Sequence, residues 1–437
     1  MRVRPVATLT IVLLLLVAAA ANPAYKTVYQ FPGGQAGGVP VNVGSLAADA
    51  AGNLYGTTQQ GGTCGHGTVF QLSSAFAVPK ILHSFCTDGA DPFGAVVIDE
   101  SAKNIYGTTL SGGACSMGTV FRLSKSGSGW TDTVLHNFCG KTPKKIDGAA
   151  PYAGVVLDPG KRGCCYLYGT TRSGGTSQSK EKSGFGTVFG ISRSGTYHVI
   201  YSFCPKGTEC VDGEYPKSGL VVDKSGNLYG MTVAGGSSGN GTIFRISRSG
   251  SKWTETVLYS FTGGRDGANP QYSSLTFADR RIFGVTTAGG DSNDGTVFQM
   301  TLSSGSDWTE TVLYSFRGST KGDGAKPEGT LVADSTGNLY GTTTFGGSAK
   351  CTLGKDGLPN KAGCGTVFKL EPTNGGWTEN VLYLFQGRGD GGYPQSGLVR
   401  DPASGRLYGA TKYTENICDS VKLHKLYRCG VLYEVQP

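Results

Sequence analysis

Several things are scarce in this 437-residue chain. Charged residues make up only 16%, too few for a coiled coil or a highly charged disordered chain. No window keeps apolar residues at i, i+3, i+4 and i+7 for long, so almost no helix is expected. There are five histidines, and no spacing among them suggests a metal cage. Neither Cys-x-x-Cys nor His-Glu-x-x-His occurs. Gly140-Lys141-Thr142 looks like the end of a phosphate loop, but Leu135 stands where that loop needs glycine. No metal and no cofactor are expected. Apolar runs long enough to span a bilayer, about 20 residues, are also missing. The longest runs from Val6 to Ala21, follows Arg2 and Arg4, and ends in four alanines. That describes a secretory signal peptide over 1–21, with the mature chain at 22–437 free of membrane spans. Without Arg2 and Arg4 the net charge falls from +8 to +6, a mild excess that does not call for nucleic acid.

Glycine is abundant: 71 residues, roughly twice average usage. The length exceeds the ~250–300 residues at which one ordinary core stops growing, so several domains or a repeat array is expected. The repeat is visible. Leu-Tyr-Gly-Thr-Thr or a close variant begins at Leu54, Ile105, Leu167, Leu228, Ile282, Leu339 and Leu407. Gly-Thr-Val-Phe follows from Gly67, Gly118, Gly186, Gly241, Gly295 and Gly365, and Gly430-Val-Leu-Tyr is the last copy. A phrase like Leu-Tyr-Ser-Phe ends at Phe85, Phe138, Phe203, Phe261, Phe316 and Phe385. Another, Gly-Leu-Val-x-Asp, ends at Asp49, Asp99, Asp158, Asp223, Asp279, Asp334 and Asp401.

Each phrase is short, β-branched or aromatic, and bounded by turn residues, so each reads as a strand. We label them a (Gly-Leu-Val-x-Asp), b (Asn-Leu-Tyr-Gly-Thr-Thr), c (Gly-Thr-Val-Phe) and d (Trp-Thr-Glu-Thr-Val-Leu-Tyr-Ser-Phe). Four strands per 50–70 residues describe a propeller blade. The chain ends on strand c of the seventh repeat, and Tyr25–Phe31 reads as an orphan strand d. The expected fold is all-β: a seven-bladed β-propeller of four-stranded blades, with the N-terminal strand closing the last blade. These phrases resemble the tandem repeat family called GloVer, found in secreted bacterial proteins. The resemblance covers nearly all of Tyr25–Pro437. It implies an exported propeller-type repeat protein and no defined reaction.

The Asp ending strand a suits a turn, where its carboxylate accepts backbone amides. A second Asp precedes Gly between d and a, at Asp88, Asp147, Asp212, Asp266, Asp323 and Asp390, with Pro three residues after that Gly. It reads as a turn former, with a carboxylate ring holding a cation or a sugar as the alternative. Trp130, Trp253, Trp308 and Trp377 share one repeat position, which argues for packing over ligand stacking. Arg265-Asp266-Gly267 spells an adhesion tripeptide only because Arg happens to precede the recurring Asp-Gly.

Twelve cysteines in an exported chain point to disulfides. Grouping by repeat pairs Cys64 with Cys86, Cys115 with Cys139, Cys204 with Cys210, Cys351 with Cys364 and Cys418 with Cys429. Cys164 and Cys165 stay undecided between a vicinal bridge and two thiols.

In a four-strand meander the b–c and d–a connections share one face. The three long b–c loops, 172–185, 344–364 and 412–429, each carry a net +2. That positive rim suits an anionic surface partner, or it simply keeps long loops soluble. Repeats six, seven and one are neighbours in a closed ring, so Phe345, Lys350, Tyr413, Asp419, His424, Lys425, Tyr427 and His66 fall in one sector. Aromatics beside charged groups suit a glycan. The expectation is a monomeric, secreted or periplasmic, non-catalytic protein that binds a polysaccharide or cell-surface component through this face. A polysaccharide-degrading lyase or hydrolase, or a structural scaffold, are the alternatives.

Overall fold

The computed structural model describes residues 25–40, 46–75, 78–140, 146–158, 160, 166–176, 183–192, 194–303, 307–347, 351–353, 362–415, 417–418 and 427–437, with no side-chain description for 417, 418 and 427. Among them helix is limited to two 3-10 turns, Gly34–Ala36 and Ser319–Lys321. Seven antiparallel sheets follow one another, each ordered a–b–c–d. The expected seven-bladed propeller is the observed fold. Strand a spans only two or three residues, such as Val221–Val222, whereas d reaches nine, as in Lys252–Ser260. In blade 7 the chain termini meet, with Tyr25–Gln30 pairing with Val431–Val435 from Tyr25↔Val435 to Gln30↔Val431.

Interblade packing follows directly from the repeat phrases. The Phe that ends strand d of one blade meets the strand c aromatic of the next, edge to face. The pairs are Phe85–Phe121, Phe138–Phe189, Phe203–Phe244, Phe261–Phe298, Phe316–Phe368, Phe385–Tyr433 and, closing the ring, Phe31–Phe70, with centroids 5.0–5.4 Å apart. All of these rings are almost fully buried. Edge-to-face pairs stabilise beyond their area alone. The strand c ring also explains the glycine of strand b. A Cβ on Gly107 would lie 2.6 Å from Phe121 Cζ, so only hydrogen fits there.

Every blade carries a β-bulge between c and d at the same place, as at Val69/Phe70 and Ile243/Phe244. The skipped strand d residue is Leu82 in blade 1 and Leu258 in blade 4. A bulge sharpens twist locally, just before the Tyr or His that stands two residues ahead of the terminal Phe. The tryptophans are packing residues, as expected. Trp253 lies edge-on to Tyr168 of the preceding blade at 6.0 Å, and Trp308 to Tyr229 at 6.4 Å. Strand a aspartates close turns: Asp223 accepts from the amides of Ser225 and Asn227, the Asn227 side chain and the Tyr229 hydroxyl at 2.8–3.1 Å.

Four of the expected disulfides are formed: Cys64–Cys86, Cys115–Cys139, Cys204–Cys210 and Cys351–Cys364. Cys429 is disulfide-bonded. The side chain of Cys418, both Cys164 and Cys165, and residues 1–21 lie outside the described residues.

Candidate functional site

The b–c and d–a connections do share a face, because they hydrogen-bond to one another. The residue before the repeat proline donates its amide to the b–c loop of the preceding blade. Examples are Asp91 to the His66 carbonyl, Tyr215 to Phe185, Lys326 to Asp294 and Tyr393 to Cys364, at 2.8–3.0 Å. Its own carbonyl accepts from the end of strand b in the following blade, as Asp91 does from Leu110 at 3.0 Å. Held from both sides, Asp91, Ala150, Tyr215, Asn269, Lys326 and Tyr393 all adopt φ between 52° and 55°. A non-glycine residue there is strained by roughly 1–3 kcal/mol. The strain is fixed by two blades at once, and it turns the chain across the mouth of the ring.

In the described connections the residue after that proline then faces the axis: Phe93, Tyr152, Lys217, Gln271, Glu328 and Gln395. The copy at Val41 lies outside the described residues. Unlike the strand phrases, this position varies around the ring, as does the residue before the proline. Blade 5 adds Tyr272, also at positive φ. Phe93, Tyr152 and Tyr272, from blades 2, 3 and 5, meet across the axis with centroids 5.6–6.0 Å apart. Lys217 Nζ lies 5.5 Å from the Tyr152 ring and 5.1 Å from that of Tyr272. It donates to Gln271 Oε1 and the Tyr272 hydroxyl, both at 3.3 Å. Opposite, Glu328 is 7% exposed. Its Oε2 accepts from Thr344 Oγ1 at 2.7 Å and Gln395 Nε2 at 2.8 Å.

Burial sets the charge states. It pushes the Glu328 carboxyl up, against those two hydrogen bonds and the pull of Lys412 and Lys326. Burial also pushes the Lys217 and Lys412 ammoniums down, and Arg172 adds to the effect at Lys217. Tyr272 is pushed up to about 12, mainly by burial. The mouth thus combines three aromatic faces, two amides, a buried carboxyl and amines of lowered basicity.

Of the expected sector, Phe345 and Tyr413 are bridged by Tyr393, at 5.3 and 6.2 Å. Lys326 Nζ sits 5.5 Å from the Phe345 ring and Lys412 Nζ 5.2 Å from that of Tyr413. Phe345 also lines a cleft of about 240 Å³ with Asp294, Arg317 and Lys326. His66 is exposed on the blade 1 loop. Tyr427 lies on a two-residue strand paired with Ile417–Cys418. Lys350, Asp419, His424 and Lys425 lie outside the described residues. Phe93, Tyr152, Lys217, Tyr272, Glu328 and Gln395 escape a reading that looks for what recurs. Aligning the repeats on their proline and asking what does not recur would have found most of them.

The Asp-Gly aspartates lie between the d strands of neighbouring blades rather than around the axis. Each accepts from the Tyr or His near the end of its own strand d and from a nearby amide. Asp212 takes the Tyr201 hydroxyl at 2.8 Å and the Cys204 amide at 2.9 Å. Asp266 is engaged the same way by Tyr259 and Thr262, so the adhesion-like tripeptide is part of a turn. Gly235–Gly239 matches a Gly-x-Ser-x-Gly pattern, but it joins two strands and opens no helix.

The profile of the Gloeobacter/Verrucomicrobia repeat matches residues 18–222 and 175–421. No curated protein matches the sequence. Among solved structures, a candidate 6-phosphogluconolactonase from Bacteroides uniformis is 13% identical, with 90% of this chain and 99% of that chain covered at a TM-score of 0.50. Another, from Bacteroides fragilis, is 15% identical, with 86% and 92% covered, also at 0.50. At such identities the likeness is one of fold.

Proposed function

The chain belongs to the Gloeobacter/Verrucomicrobia repeat family, and we propose that it is an exported, non-catalytic propeller that binds a glycan at the axial mouth of its loop face. One observation carries this reading: aromatic, amide and charged side chains that follow the repeat proline in different blades meet one another at the mouth of the ring. The chemistry fits a sugar. Tyr152, Tyr272 and Phe93 offer faces for stacking. Gln271, Gln395 and Glu328 offer donors and acceptors, and Lys217 offers a cation for an acidic unit. Four disulfides, and no helix among the described residues long and apolar enough to cross a membrane, fit an extracellular or periplasmic protein. The signal-like segment at 1–21 supports export.

Glu328 supports a second reading. A carboxyl pushed up by burial, beside amines pushed down, suits general acid–base work on the same polysaccharide. One experiment separates the two. The oxidised chain from Asn22 is titrated calorimetrically against neutral and acidic polysaccharides while reducing and unsaturated ends are assayed. Saturable heat without new ends, lost in Glu328→Gln, is the expected result. New ends would make the protein an enzyme. No heat with any polysaccharide would sink the glycan reading for that panel.

A further inference from the structure

We propose that His83, Asp88 and Asp132 form a divalent transition-metal site stitching blade 1 to blade 2, independent of the axial mouth. Their ligating atoms, one imidazole nitrogen and two carboxylate oxygens, all lie within 4.8 Å of one another. His83 Nε2 is 2.6 Å from Asp88 Oδ2. Asp132, on strand d of blade 2, has an Oδ1 that is shut off from solvent and has no hydrogen-bond partner.

The repeat supplies the control. Asp132 sits opposite Leu123 of strand c, and the equivalent positions are Tyr197, Glu255, Glu310, Glu379 and Tyr25. Each faces the Asp-Gly aspartate of the preceding blade. At the seams holding Glu255, Glu310 and Glu379 the third group is a tyrosine hydroxyl, from Tyr201, Tyr259 and Tyr314, which donates to that aspartate at 2.8–3.0 Å. At the blade 2–3 seam there is a histidine, His136, but its neighbour is Tyr197, stacked on it at 3.7 Å, not a second carboxylate. Among the described residues, only the blade 1–2 seam joins an imidazole to two carboxylates.

The surroundings suit ligation. The Cys86 amide donates to Asp88 Oδ1 at 2.7 Å, which fixes the carboxylate and leaves Oδ2 turned to the site, and Cys86 is itself held by its bridge to Cys64. Such outer contacts orient metal ligands. His83 and Asp88 side chains are 20% and 23% exposed, so an ion has an entry path. One nitrogen and two oxygens, with room for water, favour zinc or manganese over calcium, which takes six to eight oxygens.

The test uses the oxidised chain after EDTA and dialysis, titrated calorimetrically with zinc chloride, then manganese and calcium chlorides. The expected result is one zinc per chain, calcium at least tenfold weaker, and a zinc-dependent rise in Tm. His83→Tyr installs the residue found at the tyrosine seams and keeps the hydrogen bond to Asp88. It is expected to weaken zinc at least tenfold, as is Asp132→Asn. His136→Tyr, the same exchange one seam away, should leave affinity unchanged. Zinc that fails to bind, or binds equally well in His83→Tyr and Asp132→Asn, overturns the proposal and leaves a proton shared between the two aspartates. If His83→Tyr misfolds, cobalt absorption of the unmodified chain and of Asp132→Asn decides: a visible spectrum lost in the variant supports the site, and an unchanged one overturns it.

Discussion

Tyr25 stacks on Tyr383 with ring centroids 4.0 Å apart, and its hydroxyl donates to the Asp390 carbonyl at 2.8 Å. The first described residue is thereby clamped to the strand d of blade 6, while its own strand completes blade 7. The contact also includes Phe385 and Tyr433, at 6.1 and 6.0 Å. Tyr25→Ala removes the hub of this aromatic group at the seam of the ring. The expected cost is about 3 kcal/mol, at the low end for deleting a buried aromatic side chain. Urea unfolding of the variant and the parent measures it, and a loss under about 1 kcal/mol would mean that the N-terminal strand does not lock the ring.

The seam carboxylates give the protein an acid-leaning stability profile. Burial, with Asp212 adding to it, pushes Glu255 up to about 8. Burial and Asp266 push Glu310 up to about 7, and burial and Asp323 do the same for Glu379. A carboxyl with a raised folded value binds more protons folded than unfolded between its two pKa values. Stability therefore falls as pH rises through roughly 4.5 to 8. Strand a aspartates act oppositely: hydrogen bonds hold Asp49, Asp99 and Asp334 low, and their contribution is lost as pH drops below the unfolded value near 4. Tm in EDTA is expected to peak near pH 5 and decline towards pH 8. Combining Glu255→Gln, Glu310→Gln and Glu379→Gln should flatten the decline. A parent profile already flat from pH 5 to 8 would contradict this.

The fold was legible because packing recurs. Phe121 and Gly107 must fit each other and so must their counterparts, so the glycine appears in all seven blades opposite an aromatic ring, Phe in six and Tyr433 in the seventh, and the pair marks its strands. Strand d at Tyr25–Phe31 was legible for the same reason, although it lies far from its partners in sequence. The seams were half legible. The Asp-Gly aspartates stand out, but the Glu of Trp-Thr-Glu-Thr looks like the solvent side of an alternating strand. Its burial comes from the neighbouring blade, which no local pattern displays. The missing members agree with each other: the Gly33-Gly34 connection lacks the aspartate, and blade 1 lacks the partner carboxylate. The axial mouth was the least legible. Tyr152 and Tyr272 are over a hundred residues apart, and only ring closure brings them together.

Asp334 tests the strand a turns. It accepts from the Thr336 amide and hydroxyl, the Asn338 amide and side chain, and the Tyr340 hydroxyl, all at 2.7–3.0 Å. Asp334→Ala strands these donors on a partly buried turn. The expected cost is about 2 kcal/mol, the loss of several charge-assisted bonds offset by hydration of the exposed donors. Asp334→Asn keeps an acceptor and should recover part of it. Equal stability of the alanine variant and the parent would show that the turn holds without its carboxylate.

Lys217 decides whether the axial mouth reads charge. It is half-buried, and its ammonium lies 5.5 and 5.1 Å from the Tyr152 and Tyr272 ring centroids. Lys217→Met keeps the stem and the packing but removes the charge. If an acidic polysaccharide is bound there, one charge-assisted contact is lost, and affinity is expected to fall about tenfold, equivalent to ~1.4 kcal/mol. The dependence of Kd on salt should become shallower, because one fewer pair is screened. Binding of a neutral polysaccharide through stacking alone should change little. The reverse pattern, neutral binding lost and acidic binding kept, would place the anionic contact elsewhere on the loop face. The long positive loops between strands b and c would then be the first place to look.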